Sequence, residues 1–225
     1  MSAAGLDLVQ VNAMGGAGLT GRGQWMGLYI DSEALLKRCA GRRVALYSGS
    51  FNPPHLGHLA LMEAVLARGL VEQVIVFPHS LNVDKQHALV SIEHRVNMLR
   101  LLLAGSSRAA ALHICDPGFC HGFHDHIDYL AGCLGGPQFI AILIGSDSLC
   151  RDSYPGALLR YRHLVHLRRE TASVTLPAGL NTASVMLRGI HSLSSTEVRT
   201  RPAAERGPLL GEAVDEYVRA HGLYR

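Results

Sequence analysis

Charge is scarce in this chain: Asp, Glu, Lys and Arg make up 17% of its 225 residues and leave a surplus of only +3. No block of Lys or Arg tracks a nucleic-acid backbone, so the mild surplus suits small anionic ligands instead. Aromatic residues are few at 6%, with Trp25 the single tryptophan. No apolar run approaches the ~20 residues of a membrane span. The first twenty residues lack the basic start and apolar stretch of a signal peptide. The five cysteines (Cys39, Cys115, Cys120, Cys133, Cys150) are odd in number and irregularly spaced. That excludes a regular disulfide framework and reads as free thiols in a reducing compartment. Repeats and low-complexity tracts are missing as well. These absences predict a soluble cytoplasmic protein without membrane or nucleic-acid partners; a homo-oligomer is left open.

What is present is a core: 48% of the residues are hydrophobic, enough for one α/β domain with an extension. Residues 1–40 read as a glycine-rich, partly disordered extension, with a short helix over 32–39 capped by Ser32. The segment contains Gly16-Ala17-Gly18-Leu19-Thr20-Gly21, a formal dinucleotide fingerprint. Arg22-Gly23-Gln24 is a poor helix start behind it, so the match is discounted. From Val44 onward the domain, 41–225, is regular. Apolar strand candidates at 44–47, 73–77, 111–115, 139–144, 163–168 and 184–187 alternate with helical patterns at 57–68, 91–104, 123–133 and 154–160. A last helix is expected over 208–221, with Leu210, Val214, Tyr217, Val218 and His221 on one stripe. This alternation predicts a Rossmann-like, doubly wound parallel sheet with helices on both faces and ligands beyond the carboxyl ends of its strands.

The first strand runs into Gly49-Ser50-Phe51-Asn52-Pro53-Pro54-His55-Leu56-Gly57-His58. A helix starting there has N–H groups without intrahelical acceptors and the positive end of its dipole, a natural anion site. Glycines let the backbone approach the ligand, prolines set the turn, and two imidazoles three apart suit a polyphosphate. A plain cap or surface pair is the alternative meaning of two such histidines.

These residues resemble the His-x-Gly-His nucleotidylyltransferase superfamily, and in particular the nicotinate/nicotinamide mononucleotide adenylyltransferases. Leu193-Ser194-Ser195-Thr196-Glu197-Val198-Arg199 is similar to the family's Ile-Ser-Ser-Thr-x-x-Arg, and Gly145-Ser146-Asp147 to its Gly-x-Asp. The closing Val214 to Tyr224 stretch is similar to bacterial members. The resemblance implies transfer of AMP from ATP to a phosphomonoester with release of pyrophosphate. His55, His58 and Arg199 are then expected to be catalytic. Gly49, Ser50, Phe51, Gly57, Lys85, Gly145, Asp147, Ser194, Ser195 and Thr196 are expected at the ATP. Magnesium is expected with the triphosphate, held mostly by substrate and water, with no metal resident in the protein. Arg95 and Met98 resemble the family's Arg-x-x-Met helix, where Arg95 either braces a loop or touches substrate.

The acceptor side departs from the family. The bacterial Ser-Tyr-Thr segment is replaced by residues 116–126, and the tryptophan after Gly-x-Asp is absent, so Tyr154 or Tyr161 has to take its place. Asn52, Phe119, His121, Phe123, His124 and Tyr154 are the expected acceptor residues. Cys115, Cys120, His121, His124 and His126 crowd into twelve residues but match no standard zinc spacing, so polar pocket lining is preferred to a metal site. The expected acceptor is nicotinate or nicotinamide mononucleotide. A different phosphorylated acceptor, or a non-catalytic nucleotide-binding module, is the alternative.

Overall fold

The computed structural model describes residues 32–79, 90–115, 127–149, 156–166, 180–185 and 193–225. The apolar runs form six strands: β1 (Val44–Gly49), β2 (Gln73–Pro78), β3 (Leu112–Ile114), β4 (Ile140–Gly145), β5 (Arg162–His166) and β6 (Thr182–Val185). All pair in parallel, in the order β3-β2-β1-β4-β5-β6, with Val44 opposite Gln73 on one side and Ile140 on the other. Helices α1 (Ser32–Cys39), α2 (Leu56–Ala67), α3 (Ile92–Ala104), α4 (Ile127–Leu134), α5 (Ser146–Leu149), α6 (Ser195–Thr200), α7 (Gly207–Leu210) and α8 (Glu212–Ala220) complete the described fold.

The period-2 alternation of the strands divides the core between the two faces of the sheet. Ala45, Val74, Val76, Ala141, Leu143 and Leu164 meet the apolar sides of α2, α3 and α8. Val44, Leu46, Ile75, Phe77, Ile140 and Ile142 meet α1 and α4. This is the doubly wound arrangement that the alternation predicts. The chain reverses its direction of winding between β1 and β4, which opens the crevice where such folds bind ligands.

Three expectations need correction. Helix α1, read as part of the 1–40 extension, packs into the domain body: Leu35, Leu36 and Cys39 are buried in the second core face, and Cys115 Sγ donates to Ser32 Oγ at 3.3 Å. The pattern over 154–160 yields a 3-10 turn at Gly156–Arg160. The closing helix is broken in two, because Gly211 has φ +81, and a Cβ there would lie 3.3 Å from Leu56 Cδ2. Only glycine permits both the left-handed turn and that approach of α2. Among the described residues no helix is long and apolar enough to cross a membrane.

His113, on the edge strand β3, donates through Nε2 to Gln73 Oε1 at 2.6 Å. Burial, reinforced by the charges of Arg38 and Arg42, lowers its pKa to about 4. Its folded pKa therefore lies below the unfolded value of about 6.5, so acid protonates the unfolded chain first. Stability is full above that upper value and falls as the pH drops towards the lower one. His113→Gln should flatten this decline, read as the slope of Tm between about pH 7 and 4. His163, also held neutral by burial, should retain part of the slope.

Candidate active site

The turn between β1 and α2 has no regular structure of its own, so its shape comes from what grips it. Gly49 ends β1, and the Phe51 ring folds back over it: a Cβ on Gly49 would lie 3.2 Å from Phe51 Cζ. Phe51 itself has φ +46, and the Asn52–Pro53 peptide is cis. The Phe51 ring is 2% exposed and meets Tyr47 and His58 edge-on, with centroids 5.3 and 5.0 Å apart.

His55 is the N-cap of α2, in extended conformation, and its main-chain N–H donates to His58 Nδ1 at 3.1 Å. The two imidazoles stack with centroids 3.7 Å apart. With Nδ1 accepting, a neutral His58 carries its proton on Nε2, which makes that atom a donor on the opposite edge of the ring. Gly57 is buried in the first turn, where the helix offers the N–H groups that attract an anion.

The second motif sits against the first. Ser194 caps α6, accepting from Glu197 N at 3.1 Å. Ser195 Oγ donates to the carbonyl of Pro53 at 2.8 Å, across 142 positions of sequence. The Arg199 guanidinium donates to the carbonyl of Asn52, across 147 positions, and to Thr196 Oγ1 at 3.2 Å. Gly145, buried Ser146 and the backbone of Asp147 lie at the carboxyl end of β4, on the other bank of the crevice.

Arg95 holds the turn from below. It is 1% exposed; its Nη1 donates to the carbonyls of Ser50 and His79, each at 2.7 Å, and its Nε to that of Val90 at 2.8 Å. Burial lowers its pKa, yet guanidinium remains charged at any physiological pH. Of its two expected roles, the loop brace is the one these contacts describe. Its place on the buried stripe of α3, beside Met98 and Leu102, is what turns this cation towards the loop carbonyls. Tyr224 and Arg206 are further members that motif reading missed. The Tyr224 hydroxyl donates to Asn52 Oδ1 at 2.7 Å.

The structure thus gathers His55, His58, Ser194, Ser195, Thr196, Arg199, Gly49, Ser50, Phe51, Asn52 and Gly57 around one turn. Phe51 and Asn52 face inward: Asn52 is 2% exposed and its Oδ1 accepts from Val90 N at 3.2 Å as well as from Tyr224. Asn52 was expected at the acceptor, but its carbonyl oxygen is spent on the protein. Tyr161 is likewise no stacking surface, since it is 2% exposed in the second core face and donates to Asp128 Oδ1 at 3.0 Å. Lys85, Phe119, His121, Phe123, His124, Tyr154, and Cys120 and His126 of the Cys/His segment, lie outside the described residues.

Comparison with known proteins agrees with this geometry. The chain matches the family described as cytidylyltransferase-like over residues 46–201, which makes it a nucleotidyltransferase of that class. It is 30% identical over 197 residues to a probable nicotinate-nucleotide adenylyltransferase of Bordetella parapertussis, covering 81% of this chain and 98% of that one. A probable nicotinate-nucleotide adenylyltransferase of Salinibacter ruber is 29% identical over 198 residues, covering 81% and 97%. The fold matches that of Plasmodium falciparum nicotinic acid mononucleotide adenylyltransferase, solved complexed with NaAD, at a TM-score of 0.66 and 17% identity, over 80% of this chain and 96% of that one. The chain belongs to the nicotinate-nucleotide adenylyltransferase family of cytidylyltransferase-like enzymes.

Arg95 supplies the sharpest test of this architecture. Arg95→Met should leave three partly buried carbonyls without this donor and destabilise the protein by about 3 kcal/mol or more. Arg95→Lys keeps the charge but not the fork, and should fall between that variant and the wild type. The shift of the urea unfolding midpoint at unchanged slope measures both.

Proposed function

We propose that the enzyme transfers AMP from ATP to nicotinate mononucleotide and releases pyrophosphate. A phosphate oxygen of the acceptor attacks the α-phosphorus of ATP, the bond from that phosphorus to the bridging oxygen breaks, and pyrophosphate leaves with the bonding electrons. The product is a dinucleotide with a new P–O–P link. In such a reaction the protein mainly aligns the two phosphates and stabilises charge.

The carrying observation is the lodging of Ser195 and Arg199 on the carbonyls of Pro53 and Asn52, beside the stacked His55 and His58. It brings two anion-binding helix starts, two imidazoles and a guanidinium to one place. The Nε2–H of His58 is the donor suited to the α-phosphate oxygens as their charge grows. His55 fixes the orientation of that ring by its main-chain N–H and by stacking. Arg199 is suited to the β- and γ-phosphates, with Ser194, Ser195 and Thr196 beside it. At the opposite bank Asp147 is suited to the ribose hydroxyls of ATP. Magnesium would enter with the triphosphate and neutralise part of its charge. The names of the relatives support nicotinate mononucleotide as acceptor over its amide.

Magnesium-dependent pyrophosphate release from ATP should occur with nicotinate mononucleotide and be slower with nicotinamide mononucleotide. His58→Ala should lower kcat at least about a hundredfold, the usual loss when one such donor is removed. No release with either acceptor would overturn the proposed reaction, and faster release with the amide would reassign the acceptor.

A further inference from the structure

The interactions around Asn52 close a circuit that runs back to their starting residue. Arg199 donates its guanidinium to the main-chain oxygen of Asn52. The carbonyl of Arg199 in turn accepts from Arg206 Nη2 at 3.2 Å. Arg206, 9% exposed, donates through Nη1 to the carbonyl of Tyr224 and through Nε to that of Arg201 at 2.8 Å. The Tyr224 hydroxyl completes the path to Asn52 Oδ1 at 2.7 Å. Four residues from three separate parts of the chain thus hold one another.

Backbone geometry marks the same two places. Among the described residues, Phe51 at φ +46 and Tyr224 at φ +58 are the non-glycine residues with positive φ. Aromatic side chains seldom adopt that region and keep it only where the surroundings enforce it. One of them immediately precedes Asn52, and the other bonds to it. Burial also keeps the Tyr224 phenol protonated, although the charges of Arg95 and Arg199 pull the other way. It therefore acts as a donor, matching the acceptor it meets.

We propose that Tyr224 is a positioning residue for nucleotidyl transfer: its hydroxyl closes the circuit that holds the turn between β1 and α2 in the shape presenting His55 and His58. The inference rests on the proposed reaction only for its kinetic readout. The bond joins two protein side chains behind the turn, so it should act on alignment in the transition state more than on ground-state binding. The rival is a Tyr224 that merely packs the end of the chain onto the body.

The test uses Tyr224→Phe, which removes one oxygen, beside Tyr217→Phe as control. Tyr217 is the other carboxyl-terminal tyrosine, and its hydroxyl pairs with His94 and Asn97 on α3, apart from the circuit. Tyr224→Phe should lower kcat about tenfold with KM for ATP changed less than about twofold, the scale of one buried hydrogen bond expressed in the transition state. It should also speed amide hydrogen exchange over residues 50–58 in the ligand-free protein. Tyr217→Phe should do neither, even if it lowers Tm as much. Asn52→Ala combined with Tyr224→Phe should be no slower than Asn52→Ala alone, because the two act through the same bond. Wild-type kcat and exchange in Tyr224→Phe, or additive losses in the double variant, would overturn the proposal. A wild-type enzyme inactive with both pyridine nucleotides would instead sink the reaction, while the exchange comparison would still decide the role of Tyr224.

Discussion

Three carbonyl oxygens carry the turn on which this enzyme depends. Those of Ser50, Asn52 and Pro53 have no strand or helix to pair with, and each is claimed by a side chain from elsewhere: Arg95 of α3, Arg199 of α6 and Ser195 of α6. A buried main-chain oxygen left alone is unfavourable, so every one of these donors is a constraint on where its helix can lie. With the carbonyls drawn inward, the opposite side of the turn is free to present the start of α2. An anion-binding turn thus depends less on its own two prolines than on the donors beneath it.

The choice of donors also shapes the field. Arg95 and Arg199 donate to main-chain carbonyls of the turn and of the segments beside it, and Arg206 donates to the carbonyls of Arg199, Arg201 and Tyr224 behind them. A guanidinium held by a carboxylate loses most of its charge to the pair, whereas one held by carbonyl dipoles keeps a net positive charge. The groups that brace the turn are therefore also a local concentration of positive charge, in a chain whose net charge is only +3.

Period and spacing made much of this legible beforehand. The apolar runs found all six strands of the described residues within a few positions, because a parallel sheet covered on both faces needs continuous apolar strands. Two distant motifs read as one candidate site, and they do lie side by side, joined by the bonds of Ser195 and Arg199 to the turn. What stayed hidden is what depends on tertiary partners. Asn52 looked like a ligand contact because it sits inside the motif, yet its oxygen faces Val90 and Tyr224. Tyr161 looked available by position along the chain, but the bend before β5 turns it into the core, where its hydroxyl donates to Asp128. The break at Gly211 reflects the nearness of Leu56, which no window of sequence contains.

Arg95 and Asn52 extend the same logic to the segment between β2 and α3. Arg95 holds the carbonyls of both His79 and Val90, and Asn52 accepts the Val90 N–H. His79 is tied further to β1, its N–H donating to the Gly49 carbonyl at 2.9 Å and its ring meeting Ser48 Oγ. His79 and Val90, on either side of this segment, are therefore both fastened to the turn between β1 and α2. A division of labour follows within a few residues of chain. The inward groups, Asn52 and its donors, couple stability to the position of three segments, so changing them disturbs fold and chemistry together. His58 is held more locally, by the His55 N–H and by the rings of His55, Phe51 and Tyr47. The turn is therefore braced from within by main-chain contacts, while the imidazole at the start of α2 depends on that bracing only through its neighbours in the turn.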